Sequence, residues 1–301
     1  MIRRSSTNGR AQTAVQPAST LMKRASAGLN LCHENAAELC TTKPELDFIQ
    51  IHPEHLIQEQ GGTYRDQLDE LRHHYKVVLH GFGLSIGSCS PLDHDYLLLV
   101  RDLLQEHPEA VFSDHFSWSS LSHHHFHDLI PLIQSEETAD YMVERITDAQ
   151  NVIGSQILLE NISSYMRYQS STMAEMEFIN KVSLRAESYV LLDVNNIWAN
   201  AMNFNEDPWE HICKLDKDIV RGYHMAGCTK EQMGNGVVYI DYHREAVHDE
   251  VWDLYDKCLQ RFGPWPTLLE WENNVPPLER TLEEVERINK HQKANLHGAQ
   301  G

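Results

Sequence analysis

The chain has 301 residues, 41% hydrophobic and 23% charged, with a formal net charge of -19. That size and mix suit one large soluble domain, and the acidity argues against a nucleic-acid backbone as the main partner, which needs a basic surface. No apolar run is long enough to cross a bilayer, which speaks against a membrane-spanning helix.

Residues 1–27 are basic, rich in Ser, Thr and Ala, and free of acids. They are expected to form a disordered tail, although transit peptides share that composition. A first strand is predicted over Gly28–Cys32, a short helix over His33–Cys40 and a second strand over Asp47–His52. Pro53-Glu54-His55 and a Gly61-Gly62 turn follow. Tyr64–His74 has helical spacing, with Leu68, Leu71 and Tyr75 on one stripe. Lys76–His80 is the third strand. Pro91 and Asp93 open a helix that runs to about Gln105. Ala110–Ser113 is the fourth strand and leads into Asp114-His115.

A polar loop then carries His123-His124-His125 and His127. Ser135-Glu136-Glu137 starts a helix that ends near Gly154, and Gln156–Glu160 is the fifth strand. A helix after Met173 leads to the sixth strand, Tyr189–Asp193. Asp207-Pro208 caps the next helix, and Ile219–His224 is the seventh strand. Val237–Asp241 is expected as a small extra strand. A helix over Glu245–Phe262, a strand over Pro266–Glu270 and a helix over Leu278–Lys290 complete the series. Eight strands alternating with helices imply parallel pairing and a closed (β/α)8 TIM-type barrel. That barrel is expected to span residues 28–292, with residues 293–301 as a C-terminal tail.

Several apolar strands end in a residue type that binds metals. These include Val77-Val78-Leu79-His80, Ile157-Leu158-Leu159-Glu160, Val190-Leu191-Leu192-Asp193, Gly222-Tyr223-His224 and Thr267-Leu268-Leu269-Glu270. In a parallel barrel these ends share one mouth, where active sites sit. Asp241 and His243 are two apart, so in an extended segment both face one side. A single strand-end His is more often a hydrogen-bonded core residue, and a single Asp more often a helix cap. Repetition over at least six strands reverses those odds, because buried charge is rare without a partner. Imidazole and carboxylate without thiolate suit iron, manganese or zinc, and this many donors suggest two or three ions. The loop histidines lack strand support and are weaker candidates. Asp114 is expected to orient a ring nitrogen rather than to bind metal. Six scattered cysteines form no Cys-x-x-Cys pair, so a zinc ribbon or disulfide framework is not indicated and a reducing cytoplasm is expected.

Six ordered motifs carry a family resemblance: Ser113-Asp114-His115-Phe116-Ser117-Trp118, Leu159-Glu160-Asn161-Ile162-Ser163-Ser164-Tyr165, Leu191-Leu192-Asp193-Val194-Asn195-Asn196, His224-Met225-Ala226-Gly227, Ile240-Asp241-Tyr242-His243 and Leu269-Glu270-Trp271-Glu272. Over nearly all of 28–290 the chain resembles the multinuclear non-heme iron-dependent oxidative enzymes. These modify ribosomal peptides, as in methanobactin and 3-thiaglutamate biosynthesis. The resemblance implies a TIM-type barrel with two or three irons in mixed Fe2+/Fe3+ states and dioxygen as co-substrate. By motif the ligands are His80, His115, Glu160, Asp193, Asn196, His224, Asp241, His243 and Glu270, with Glu272 as a base. It further implies oxidation of a cysteine in a ribosomal precursor peptide, and a small partner protein that captures the leader. Two departures stand near the pocket: Glu54-His55 replaces the usual Glu-Asn pair, and Arg244 follows His243 where Asp is common. The rival readings are a zinc- or manganese-dependent barrel hydrolase or isomerase, and a non-enzymatic metal-binding protein.

Overall fold

The computed structural model describes residues 25–58, 61–121, 124–234 and 236–298. In chain order the first elements are β1 (Ala27–Asn30), α1 (His33–Thr42), β2 (Phe48–Ile51), α2 (Pro53–Gln58), α3 (Thr63–His74), β3 (Val77–His80), α4 (His94–Glu106) and β4 (Phe112–His115). Next come β5 (Trp118–Leu121), β6 (His124–Ile130), α5 (Glu136–Ile153), β7 (Ile157–Glu160), α6 (Glu175–Ala186), β8 (Tyr189–Asp193) and α7 (Val194–Phe204). The chain ends with α8 (Pro208–Cys213), β9 (Val220–Met225), β10 (Thr229–Met233), β11 (Gly236–Ile240), α9 (Asp249–Phe262), β12 (Thr267–Leu269) and α10 (Leu278–Gly298).

Eight of these strands close a parallel barrel in the order β1-β2-β3-β4-β7-β8-β9-β12, with β12 pairing back to β1. This is the expected TIM-type barrel, and each of its strands was predicted within a few residues. Closure is fastened from outside: the Gln292 side-chain amide on α10 donates to the Ser26 and Trp265 carbonyls and to Thr267 Oγ1. Among the described residues, no helix is long and apolar enough to cross a membrane.

Strand alternation sorts the interior into two layers. Phe48, Val78, Val111, Leu158, Leu191 and Leu268 pack together inside the barrel. Two residues further along the same strands stand Gln50, His80, Ser113, Glu160, Asp193 and Glu270. Residues i and i+2 of a strand share a face, so an apolar floor carries a polar layer directly above it. The residues between them, such as Ile49, Leu79, Phe112, Leu159 and Leu192, face outward into the core shared with the helices. Gly28 is required at the floor, because a Cβ there would lie 2.4 Å from the Phe48 ring.

Some expectations are corrected. The segment after β8 forms α7, which the sequence reading passed over. Its first eight residues, Val194–Ala201, are all buried, and it follows β8 directly with no intervening turn to mark its start. The polar His-rich loop is a β5–β6 hairpin, and Val237–Asp241 becomes β11 of a β10–β11 hairpin. Pro53-Glu54-His55, to which no element was assigned, opens α2. Helix α9 begins at Asp249 instead of Glu245, and α10 continues to Gly298, past both Lys290 and the expected tail boundary.

Replacing Gly28 by Val should force Phe48 out of the floor and cost about 1–3 kcal/mol. At this domain size that lowers the thermal midpoint by about 2–4 °C per kcal/mol, read by calorimetry.

Candidate metal centre

The C-terminal ends of β3, β4, β7, β8, β9 and β12 bring their polar residues to one rim. His80 and His115 turn their Nε2 atoms to within 3.2 Å of each other. Glu160 Oε2 lies 3.2 Å from the first and 3.6 Å from the second. Its other oxygen, Oε1, lies 3.3 Å from His224 Nδ1. That nitrogen is also 3.1 Å from Glu270 Oε1. Glu270 Oε2 in turn is 3.6 Å from His243 Nδ1, and His243 Nε2 is 2.8 Å from Asp241 Oδ1. Two carboxylates therefore each face imidazoles on both of their oxygens, and the donors form a connected string.

Asp193 serves two purposes. Its Oδ1 accepts the Asn196 N–H at 2.6 Å and caps α7. Its Oδ2 is buried without a hydrogen-bond partner. Donor atoms of Glu160, Asp193, His224 and Glu270 all lie within 4.8 Å of one another. The same holds for His80, His115 and Glu160, and for His80, His224 and Glu270.

The chemistry of these atoms fits a cation. Glu160 Oε2, Asp193 Oδ2, His224 Nδ1 and the amide oxygens of Asn195 and Asn196 are all buried without a hydrogen-bond partner. Neighbours of Glu160 Oε2 and His224 Nδ1 stand 3.1–3.6 Å away but out of line for hydrogen bonding. Leaving such atoms unsatisfied costs about 1–3 kcal/mol each. Positive ions among Glu160, Asp193 and His224, whose donor atoms lie within 4.8 Å of one another, would satisfy those three together. The set of imidazole, carboxylate and amide oxygen matches iron, manganese or zinc. No cysteine lines the cavity above among the described residues.

The far sides of the rings are tied down. His80 Nδ1–H donates to Ser113 Oγ at 2.8 Å, and that hydroxyl donates to the Leu79 carbonyl. His224 Nε2–H donates to Gln50 Oε1 at 3.0 Å, and the Gln50 amide donates to Glu270 Oε1 at 3.0 Å. These bonds leave His80 Nε2 and His224 Nδ1 as the atoms with free lone pairs, aimed at the carboxylates. Asn161 holds the base of the site, with its side-chain amide bonded to both the carbonyl and the N–H of Asp193.

Electrostatics follow from this crowding. Burial, then the nearby His115 and His224, hold His80 well below the usual imidazole range. At His224 burial acts downward, but Glu160 and Glu270 outweigh it and push it well up. His115 rises to about 9: burial opposes this, and Asp114 and Glu160 outweigh it. Burial, then Glu160, Asp241 and Glu270, raise Asp193 well above the carboxylate range. Burial acts upward on Glu270, yet His224 and His243 hold it down at about 2. Without bound cations the cluster therefore gathers protons to offset its carboxylates.

Each sequence-predicted residue can now be placed. His80, His115, Glu160, Asp193, His224 and Glu270 meet at the barrel mouth, with Asp241 and His243 joined through Glu270. Asn196 lines the cavity from the first turn of α7. Glu272 lies between His52 Nε2 at 3.6 Å and His243 Nδ1 at 3.4 Å, its side chain 38% exposed. Asp114 stands behind the mouth, with its Oδ1 3.6 Å from His115 Nδ1. Its oxygens accept the His115 N–H at 2.7 Å and the Leu84 N–H at 3.1 Å, so it fixes backbone behind the site. The loop histidines His124, His125 and His127 lie on exposed β6; His125 and His127 line the cavity over the cluster but join none of its close donor groups, and His123 lies outside the described residues. Gln50 and Ser113 were missed. Their signal was position alone, two residues before His52 and His115 on the same strand face.

Above the donors opens a cavity of about 1240 Å³. The β5–β6 hairpin contributes Phe126, the β10–β11 hairpin Met233 and Val237, and the loops Phe82, Tyr165 and Tyr242. At the two departures, Glu54 Oε1 accepts the N–H groups of Phe82 and Gly83 and the Tyr96 hydroxyl. Arg244 lies over the Tyr242 ring and bonds Thr229 and Glu231, pinning the β10–β11 hairpin.

Residues 26–293 match the family model described as RiPP precursor modification enzyme MbnB/TglH/ChrH. A UPF0276 protein of Anaeromyxobacter sp. (strain Fw109-5) is 38% identical over 273 residues, covering 91% of this chain and 95% of the relative. A UPF0276 protein of Acaryochloris marina (strain MBIC 11017) is 32% identical over 265 residues, covering 88% and 94%. Among solved structures, a xylose isomerase-like TIM barrel protein from Mycobacterium smegmatis in complex with magnesium matches with a TM-score of 0.59 at 12% identity, covering 91% of this chain and 100% of that one. Endonuclease IV from Thermus thermophilus matches with a TM-score of 0.53 at 15% identity, covering 91% and 99%. At those identities the two structures bear on the fold alone.

Replacing Gln50 by Leu should free the His224 ring and weaken metal binding by about 10–100-fold, measured by chelator competition. Protons and cations compete for the same atoms, so affinity should climb as pH rises from about 6.5 to about 9, the range over which His115 is held protonated.

Proposed function

Because this chain belongs to the RiPP precursor modification enzyme family MbnB/TglH/ChrH, we propose that it is an O2-dependent, multinuclear iron oxidase acting on a residue of a ribosomally synthesised precursor peptide. Cysteine is the proposed target. One observation carries the reading: two buried carboxylates, Glu160 and Glu270, each offer their two oxygens to different imidazoles beneath a cavity large enough for a peptide segment.

That sharing supports up to three adjacent ions. His80, His115 and Glu160 would hold one. Glu160, Asp193, His224 and Glu270 would hold the second. Asp241, His243 and Glu270 would hold the third, and the Asn196 amide oxygen completes the donor set. Bound iron in mixed Fe2+/Fe3+ states would supply the oxidising chemistry with dioxygen as co-substrate.

The chain's own residues do the remaining work. Strand ends keep six of the donors still, because their backbones belong to the barrel ladder or directly continue it. His52 and His243 outweigh the effect of burial on Glu272 and hold its carboxyl well below the usual range. It is thus ionised, faces the cavity and is placed to accept a proton from a bound peptide. Phe82, Phe126, Tyr165 and Tyr242 give the mouth an apolar rim for side chains flanking the target. A separate small protein that captures the leader peptide, and a cytoplasmic setting, complete the proposal.

A zinc- or manganese-dependent hydrolase or isomerase would use the same donors, and metal analysis with oxygen uptake separates the two. The oxidase reading expects iron in the purified chain, and oxygen consumption with a mass change when it is co-expressed with a cysteine-bearing precursor. Zinc alone, with turnover unaffected by removing oxygen, would sink it. Replacing Glu160 by Ala should remove at least two ions per chain by elemental analysis, whereas replacing His115 by Ala should remove one.

A further inference from the structure

A second, smaller cavity of about 40 Å³ lies in the barrel beneath the polar layer. Its walls are the inward apolar side chains Phe48, Val78, Val111, Leu158, Leu191 and Leu268. Val78, Leu158 and Leu191 keep 8%, 5% and 5% exposure, whereas their outward neighbours Leu79, Leu159 and Leu192 have 0%. The floor layer is therefore less tightly filled than the wall.

Gln50, Ser113 and His224 form the roof. Gln50 is engaged with His224 and Glu270, Ser113 with His80 and the Leu79 carbonyl, and the remaining nitrogen of His224 faces the carboxylates above. The pocket is partly open, but a held water needs about two to four polar partners, and these apolar walls offer few, which favours small apolar guests. At the lower end a β-bulge places Arg221 in the lining. Its Nε has no hydrogen-bond partner, but the guanidinium lies over the rings of Tyr189 and Trp265. The same His224 that faces Glu160 and Glu270 above also lines the chamber below, so one side chain separates the chamber from the donor cluster.

We propose that this chamber binds a small apolar gas molecule. Resting on the oxidase reading above, we assign it to dioxygen, which would approach the centre from below while a peptide covers the mouth.

Metal-loaded crystals of the full chain pressurised with xenon test the site without reference to activity. The expected result is a xenon peak between Leu158, Leu191 and Leu268. Leu191→Phe, with Val78→Leu as a second variant should the first fail to fold, fills the chamber. Each should abolish the peak and raise the KM for dioxygen several-fold, with iron content and the KM for peptide unchanged. No xenon peak, or a chain of ordered waters in its place, overturns the gas site. A peak lost in the variants with KM for dioxygen unaltered overturns the delivery role. A xenon peak in a chain that consumes no oxygen with its peptide upholds the gas site and sinks the oxidase reading alone.

Discussion

Glu160 is buried with three imidazoles around its two oxygens, and the structure is arranged to make that tolerable. Removing a carboxylate from water costs several kcal/mol unless positive charge returns the loss. Protonated histidines can supply that charge, and so can cations. The lone-pair atoms of His80, His224 and Glu160 point inward at one another, while the outer ring nitrogens are spent on Ser113 and Gln50. This polarity of the rings favours cations, because a proton on each inward nitrogen would still leave several oxygens unsatisfied.

The barrel separates rigidity from access. Six donors, His80, His115, Glu160, Asp193, His224 and Glu270, stand at barrel strand ends, so their spacing is set by strand geometry, whereas Asp241 and His243 follow β11 outside the barrel. The rim comes from two hairpins, β5–β6 and β10–β11, which pair only within themselves. Substrate fit can therefore differ between relatives without disturbing the six donors on the barrel. Asp193 links the two regimes, since one carboxylate oxygen starts α7 while the other faces the cluster. Stability and function meet in that side chain, and its helix cap orients the donor.

Eight strands were legible because each is a short apolar run bounded by turn residues, and the strand ends were legible because a charge after such a run is rare. Helix α7 was overlooked although Val194, Ile197, Trp198, Ala201 and Met202 recur at helical spacing; it follows β8 with no intervening turn, so the strand's apolar run masks its start. The β5–β6 hairpin was hidden for another reason: His124–Asp128 are exposed on both faces, so no apolar alternation shows. Asp114 points to the opposite face from its strand neighbour His115, yet its carboxylate lies 3.6 Å from the ring nitrogen, a closeness that only the folded chain shows.

Sequence alone determined the alternation of strands and helices, the closed barrel, and the choice of imidazole and carboxylate at the strand ends. Those features rest on local periodicity and on residues repeating at one position of a repeated unit, which a linear reading can see. Only the tertiary structure decided that Glu160 and Glu270 each face two neighbours, that Gln50 and Ser113 hold the rings, and that a hollow lies under the donors. These depend on strand register and on which side chains meet across the barrel, a relation between residues far apart in the chain that no local pattern encodes.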